Sequence, residues 1–321
     1  MQIIHDLNAL PELPNGSAVS IGNFDGVHIA HQRLLSHIVQ AARTMRAAAI
    51  AVTFEPHPAR VLAPQRAPKA LTTLVQKAKR IEEQGIDILV VLKFTQELSR
   101  LSPAAFVHEI VAERLRARAL CVGSNFRFGH RQAGDAETLA KLSRTDGFSL
   151  EVLPTVQVRG QTVSSSRIRQ LLAAGQVYMA GRLLGRPFSN SGRITSGLGI
   201  GRRETAPTLN LAPIEEQLPG PGVYVSRTIL GGAIYPSVTN VGRKPTFGEH
   251  PITVETHLLN FQGEVRMEEM EIEYLHRLRG EIKFPNPAAL KVQIQKDVRR
   301  ARQLFRLLDH FRIKEPSRLP C

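Results

Sequence analysis

The chain has 321 residues, 42% hydrophobic and 22% charged, ordinary globular usage that excludes a fibrous repeat or a disordered chain and, at about 100–200 residues per domain, predicts two domains. Forty-two Lys and Arg against 28 Asp and Glu leave a net charge of +14, which predicts anionic ligands. The arginines are scattered and aromatics make up only 5%, whereas a nucleic-acid surface gathers cations into a stripe interleaved with aromatics; phosphate-bearing small molecules are expected and nucleic acid is not.

The first sixteen residues, MQIIHDLNALPELPNG, carry no basic start followed by an apolar run, so no secretory signal is expected. Ala18–Gly22 reads as a strand, Leu34–Arg46 as a helix, Ala48–Phe54 as a strand, and Leu74–Gln84 as a helix stopped by Gly85. Ile88–Phe94, a helix around Pro103–Arg116, and Ala119–Gly123 repeat the alternation. Strands separated by helices at this spacing predict an α/β domain with a parallel sheet and sites at the carboxyl ends of its strands. Apolar runs such as Ile88–Leu92 fall far short of the ~18 residues of a membrane span. The two cysteines, Cys121 and Cys321, offer neither a disulfide framework nor a CxxC zinc site. A cytoplasmic protein without a membrane partner is expected, as a monomer or weak homo-oligomer.

After Gly181 the texture changes. Pro187, Gly192, Gly197, Gly199 and Gly201 crowd a segment without helical periodicity, and β-rich stretches follow at Gly222–Leu230, Ala233–Asn240, Thr253–Phe261 and Met270–Leu275. Short strands with no intervening helices predict a small antiparallel barrel or sandwich. Pro287 then opens an amphipathic helix, Ala288–Leu308, with Leu290, Ile294, Val298, Ala301, Phe305 and Leu308 on one face. The expected domains are 1–185 and 186–321.

Two stretches of the first domain suit phosphate. From Ser20 the chain runs off a strand through a turn containing Gly22, Asn23 and Asp25 into a helix start bearing His28 and His31; backbone N–H groups and the helix dipole favour anions there, and two histidines three apart can both donate to charge developing at phosphorus. Ser164, Ser165 and Arg169 likewise precede a helical Gln170–Ala174. Read singly, each has a plain alternative: a solvent-exposed histidine pair, or a serine N-cap with a solvated arginine. In the second domain a glycine-rich connection containing Gly197, Gly201 and Arg202 precedes Thr208 and Asn210; glycine amides approach phosphates closely, and Thr and Asn oxygens suit nucleotide-bound Mg²⁺.

The whole set is similar to one family. His28–His31 resembles the HxGH signature of nucleotidylyltransferases, and Ser164–Arg169 resembles their ISSTxIR-like motif. Thr53–Pro58 (TFEPHP) and Val122–Gly129 (VGSNFRFG) resemble segments of prokaryotic bifunctional riboflavin kinase/FMN adenylyltransferases (FAD synthetases), as do Gly222-Val-Tyr, Thr239–Phe247, Val254–Phe261 and Tyr274–Arg279. The resemblance implies a Rossmann-like nucleotidylyltransferase domain followed by a riboflavin kinase β-barrel with a terminal helix. It implies that ATP is attacked by FMN over His28 and His31, with flavin on Phe54, His57, Pro58, Asn125 and Arg127. It further implies that Glu255 takes the proton from riboflavin's terminal hydroxyl while Thr208 and Asn210 hold Mg²⁺ with ATP. Riboflavin, FMN and FAD would be substrates and products. The chain departs from the family at Ala30, where Gly is usual, and across Arg203–Ala206, where Thr205 and Ala206 replace Gly-Phe. A chain with one working half, and a basic nucleic-acid-binding or regulatory protein on the same fold, stand as alternatives at this stage.

Overall fold

A computed structural model describes residues 1–195, 208–243, 252–261 and 265–314, to the backbone only at 243 and 308–314. The chain divides into two compact units, Met1–Arg167 and Ile168–Cys321; the break falls inside a helix that precedes the boundary expected after residue 185.

In the first unit β1 (Gln2–Ile4), β2 (Ser17–Ile21), β3 (Ala48–Glu55), β4 (Ile88–Lys93), β5 (Ala117–Gly123) and β6 (Ser149–Leu153) form one sheet in the order β1-β4-β3-β2-β5-β6. Every neighbouring pair is parallel. Such a sheet must bury both faces, and the strands alternate accordingly. Val19, Ile21, Ile50, Val52 and Val90 share one core with Phe106, Val107, Ile110 and Leu139. Ala18, Ala49, Ala51, Leu89 and Val91 share the other with Leu34, Leu35, Ile38, Ala78 and Ile81. The covering helices are α1 (Ile29–Met45), the one-turn α2 (Pro58–Leu62), α3 (Leu74–Glu82), α4 (Gln96–Arg100), α5 (Pro103–Ala105, continued by π-helical Phe106–Arg114) and α6 (Ala136–Thr145). From β2 the chain moves outward through β3 and β4, then returns to β2's other side as β5. The order therefore reverses between β2 and β5, and a crevice outside their carboxyl ends is where an open α/β sheet binds its ligand.

A two-stranded ribbon, β7 (Gln157–Val158) and β8 (Gln161–Thr162), leads into α7 (Ser165–Ala173) and α8 (Val177–Leu184). In the second unit β9 (Phe188–Thr195), β10 (Thr208–Leu211), β11 (Gly222–Leu230), β12 (Ala233–Arg243), β13 (Ile252–Leu258) and β14 (Glu269–Arg279) close an antiparallel barrel in the order β10-β13-β12-β11-β14-β9. Of the two predicted forms, the barrel is the one adopted. Its interior is unusually polar: Ser226, Thr228, Ser237, Thr239 and Thr256 are wholly buried and bond one another at 2.7–3.1 Å. Mutual pairing removes the desolvation penalty that such groups incur when left alone. Outside, Val298, Ala301, Leu304 and Phe305 of α9 (Pro287–Lys314) pack on Val223, Val225 and Val238. Arg279 grips the buried Asp297 of that helix through Nε at 3.0 Å and Nη2 at 2.9 Å. Leu290 and Ile294 are 41% and 43% exposed, so the predicted apolar stripe meets the barrel only from Val298 onward.

Thr239 bonds both Ser226 (2.7 Å) and Thr256 (2.8 Å). Thr239→Val removes both of these bonds, leaving Ser226 only Ser237 and Thr256 only Thr228 within the cluster, and should cost about 1–3 kcal/mol, read as a lower urea midpoint for barrel unfolding; an unmoved midpoint would show that the hydroxyl cluster does not hold the barrel.

Candidate active sites

The backbone leaving β2 is bent hard. Phe24 (φ +45°), Gly26 (+78°) and Val27 (+39°) all take positive φ, which for a β-branched residue such as Val27 signals strain. Neighbouring segments hold the turn. Asp25 Oδ1 accepts the Leu71 N–H (2.8 Å), and the Gly26 N–H donates to Thr72 Oγ1 (3.3 Å). Thr53 Oγ1 donates to the Asn23 carbonyl (3.1 Å), and Ser165 Oγ donates to that of Asp25 (3.0 Å). Gly22 is tied by its own N–H to the Val52 carbonyl at 3.0 Å.

His28 follows as the N-cap of α1, its Nδ1 accepting the His31 N–H at 3.3 Å. An acceptor Nδ1 puts the neutral ring's proton on Nε2, leaving that atom to donate elsewhere. The two imidazoles stack, centroids 3.6 Å apart and 14° from parallel, with the edge of Phe24 against His31 at 5.2 Å. Burial first, then His28 and Lys77, hold the His31 pKa well below its ordinary value. His31 Nδ1 is buried with no partner. Ala30 lies in the regular first turn of α1, so its methyl leaves the helix undisturbed.

The serine motif meets this turn across the sequence. Ser165 opens α7 and reaches Asp25 as described; Ser164 Oγ accepts the Arg167 N–H at 3.2 Å, and Arg169 follows one turn along the same helix. Past β3, Phe54 sets its ring edge-on to Phe94 at 5.7 Å, and His57 caps α2 by accepting the Ala59 N–H (3.1 Å), with Pro58 as the first helical residue. Past β5, Asn125 and Arg127 are exposed; Arg127 pairs with Asp135 at 3.3 Å, and between them Phe126 stacks on Phe128 at 5.4 Å. The histidine turn, the Phe54–Pro58 segment and the Asn125–Arg127 segment follow the carboxyl ends of β2, β3 and β5, and the serine motif, which follows β8, reaches the first of them through Ser165.

Lys77 was not singled out by the sequence reading. It lies buried on the α3 face that carries Ala78 and Ile81, its Nζ donating to Thr53 Oγ1 at 3.3 Å. Burial lowers its pKa, with Asp25 and Glu55 pulling the other way. A lysine at an apolar-face spacing was the available signal. Cys121 is buried in β5, its thiol pushed up to about 12 by burial, so it remains protonated and unreactive.

On the barrel, Leu209 and Leu211 of β10 point inward, leaving Thr208 and Asn210 on the outer face. Asn210 stands opposite Glu255 on β13, and Glu255 opposite Asn240 on β12. Direct cross-strand partners have Cβ atoms about 4.5–5.5 Å apart, so a carboxylate lies between two carboxamides in one half-buried row. Thr208 pairs one step along with His257. A side chain at Gly242 would collide with Glu281 Oε1 and come within 3.3 Å of Asn240 Nδ2; the glycine admits Glu281 to this face. Asn240 and Glu281 also went unnoticed in the sequence, because strand register is what brings them here. Gly197, Gly201, Arg202 and the divergent Arg203–Ala206 lie outside the described residues.

A family model described as FAD synthetase matches residues 10–167, and one described as riboflavin kinase matches 184–305. The bifunctional riboflavin kinase/FMN adenylyltransferase of Pseudomonas fluorescens is 36% identical over 305 residues, covering 95% of this chain and 98% of that protein. Its counterpart from Haemophilus influenzae is 33% identical over 306 residues, covering 95% and 99%. A solved structure described as a macrolide-efflux protein from Streptococcus pneumoniae superposes with a TM-score of 0.84 at 26% identity, over 94% of this chain and 98% of that one. Among the described residues no helix is long and apolar enough to cross a membrane.

The depressed His31 pKa has a definite sign. Between the folded and unfolded pKa values only the unfolded chain binds the proton, so this group's contribution to stability falls as pH drops below about 6.5. Imidazole NMR should show His31 still neutral at about pH 6, where an ordinary histidine is mostly protonated; a midpoint near 6.5 would show the ring to be solvated.

Proposed function

The chain belongs to the bifunctional riboflavin kinase/FMN adenylyltransferase family, and on that footing we propose how its residues share two ATP-dependent steps. It phosphorylates riboflavin to FMN and transfers an adenylyl group from ATP to FMN, giving FAD and pyrophosphate. We assign adenylyl transfer to 1–185 and phosphorylation to 186–321.

The meeting of the His28–His31 stack with Ser165, 140 residues from Asp25, on one strained turn carries the adenylyl-transfer assignment. ATP lies over this turn, its phosphates taken by the turn of Gly22, Asn23 and Asp25 and by Ser164, Ser165 and Arg169 at the start of α7. Flavin lies against Phe54, His57, Pro58, Asn125 and Arg127. An oxygen of the FMN phosphate bonds to the α-phosphorus, the bond to the β-phosphate oxygen breaks, and pyrophosphate leaves. His28 and His31, as neutral rings, donate N–H to the charge that builds on the α-phosphoryl oxygens; positioning and charge stabilisation supply the rate, without a covalent enzyme intermediate.

In the kinase half Glu255 accepts the proton of riboflavin's terminal ribityl hydroxyl as its oxygen bonds to the γ-phosphorus and ADP departs. The Asn210–Glu255–Asn240 row supports this, since flanking carboxamides orient the carboxylate. The Thr208 hydroxyl and Asn210 carbonyl are hard oxygen donors fitted to Mg²⁺, which neutralises phosphate charge when bound with ATP. Gly197, Gly201 and Arg202 are assigned to its phosphates. The scattered positive charge supports small anionic substrates over nucleic acid.

His28→Ala and His31→Ala should each slow FAD formation from FMN by about 10²-fold or more. Glu255→Gln should slow riboflavin phosphorylation by about 10²–10⁴-fold and leave adenylylation of supplied FMN intact. Chromatography of parallel riboflavin and FMN incubations separates the two, and equal losses in both tubes from folded Glu255→Gln would refute the division of labour.

A further inference from the structure

Burying an ammonium opposes its charge unless that charge is used, and Lys77 is only 7% exposed. Its Nζ donates to Thr53 Oγ1, and Thr53 Oγ1 donates onward to the Asn23 carbonyl. The same stretch of chain supplies the Leu71 N–H to Asp25 and Thr72 Oγ1 to Gly26. Residues 71–77 therefore grip the turn before His28 at three points, and the third grip carries a charge. The titratable groups acting on Lys77 are Asp25 on the turn and Glu55 at the end of β3; those acting on His31 are His28 and Lys77 itself.

We infer that Lys77 is a positioning residue for adenylyl transfer: tied through Thr53 to the Asn23 carbonyl, its ammonium fixes the turn that leads into His28 and His31 and brings a positive charge to bear on His31. The inference rests on the adenylyl-transfer reading of that turn. A cation there opposes protonation of His31, so that ring acts as a neutral N–H donor over a wider acid range. Lys77 needs no contact with ATP or FMN for this.

The test uses the full chain as Lys77→Met and Thr53→Val, with FAD formation from FMN and ATP followed from about pH 5.5 to 8.5. Riboflavin phosphorylation by the same preparations reports folding and the other activity. Lys77→Met removes the charge and keeps the length. It should phosphorylate riboflavin normally, lose about 10-fold or more in kcat for adenylylation with little change in KM for ATP, and show an acid limb moved up by roughly 0.5–1 pH unit. Thr53→Val cuts the tie and leaves the ammonium, so kcat should fall while the acid limb stays. A Lys77→Met profile that keeps the wild-type rate, or is lowered by one factor at every pH, overturns the inference. If Lys77→Met does not fold, Thr53→Val decides: a wild-type kcat overturns the inference, and a lowered kcat with an unmoved limb sustains it. Full adenylylation by His28→Ala would instead refute the site reading itself, a result that none of the Lys77 outcomes imitates.

Discussion

Between Ile21 and Ile29 the chain passes through three positive-φ residues, two of them the buried, bulky Phe24 and Val27. Conformations of this kind cost about 1–3 kcal/mol each and persist only where the surroundings over-determine them. Here the surroundings are Thr53, Leu71, Thr72 and Ser165, each donating or accepting one hydrogen bond. These bonds contribute about 1 kcal/mol apiece, enough to offset much of the strain. What the turn gains is a sharp entry into α1, so that His28 becomes a cap and its ring stacks on His31. The sheet order, the start of α3 and the serine motif can all be understood as support for those few residues of backbone.

The barrel solves its positioning problem differently. It needs no strained turn to line up its outer row, because antiparallel register alone sets Glu255 between Asn210 and Asn240. A one-residue slip of β13 would turn Glu255 inward and break the row. The buried hydroxyl cluster is suited to preventing that, since hydrogen bonds among Ser226, Thr228, Ser237, Thr239 and Thr256 are directional where an apolar core tolerates sliding. The row proposed for phosphorylation thus depends on pairing between strands, and the turn proposed for adenylyl transfer on one clamped loop.

Much of this was legible in the sequence where local periodicity and burial agree. The strands at β2 through β5 and β11 through β14 match apolar runs, and Pro287 starts α9 as a fixed-φ residue should. β6 was missed because it is a half-exposed strand at the sheet edge, and β9 and β10 because they flank a glycine-rich run. Apolar periodicity alone picks up α1 only at Leu34 and α7 only at Gln170, whereas the helices begin at Ile29, where the His28–His31 motif puts the helix start, and at Ser165; in α1 an imidazole replaces the usual hydroxyl or carboxylate cap, and in each helix the apolar stripe starts a turn late. The histidine and serine motifs were readable because each sits at a chain reversal into a helix. Lys77 was not, since only folding puts it beside Thr53, nor was Asn240, whose place depends on register.

The account stands on both chemistries occurring in one chain. Purified protein given riboflavin, ATP and Mg²⁺, followed by chromatography over time, should form FMN first and then convert it to FAD, with ADP and pyrophosphate released in step. FMN that accumulates without FAD would remove the role given to the His28–His31 turn, and riboflavin left unchanged would contradict the account at its root.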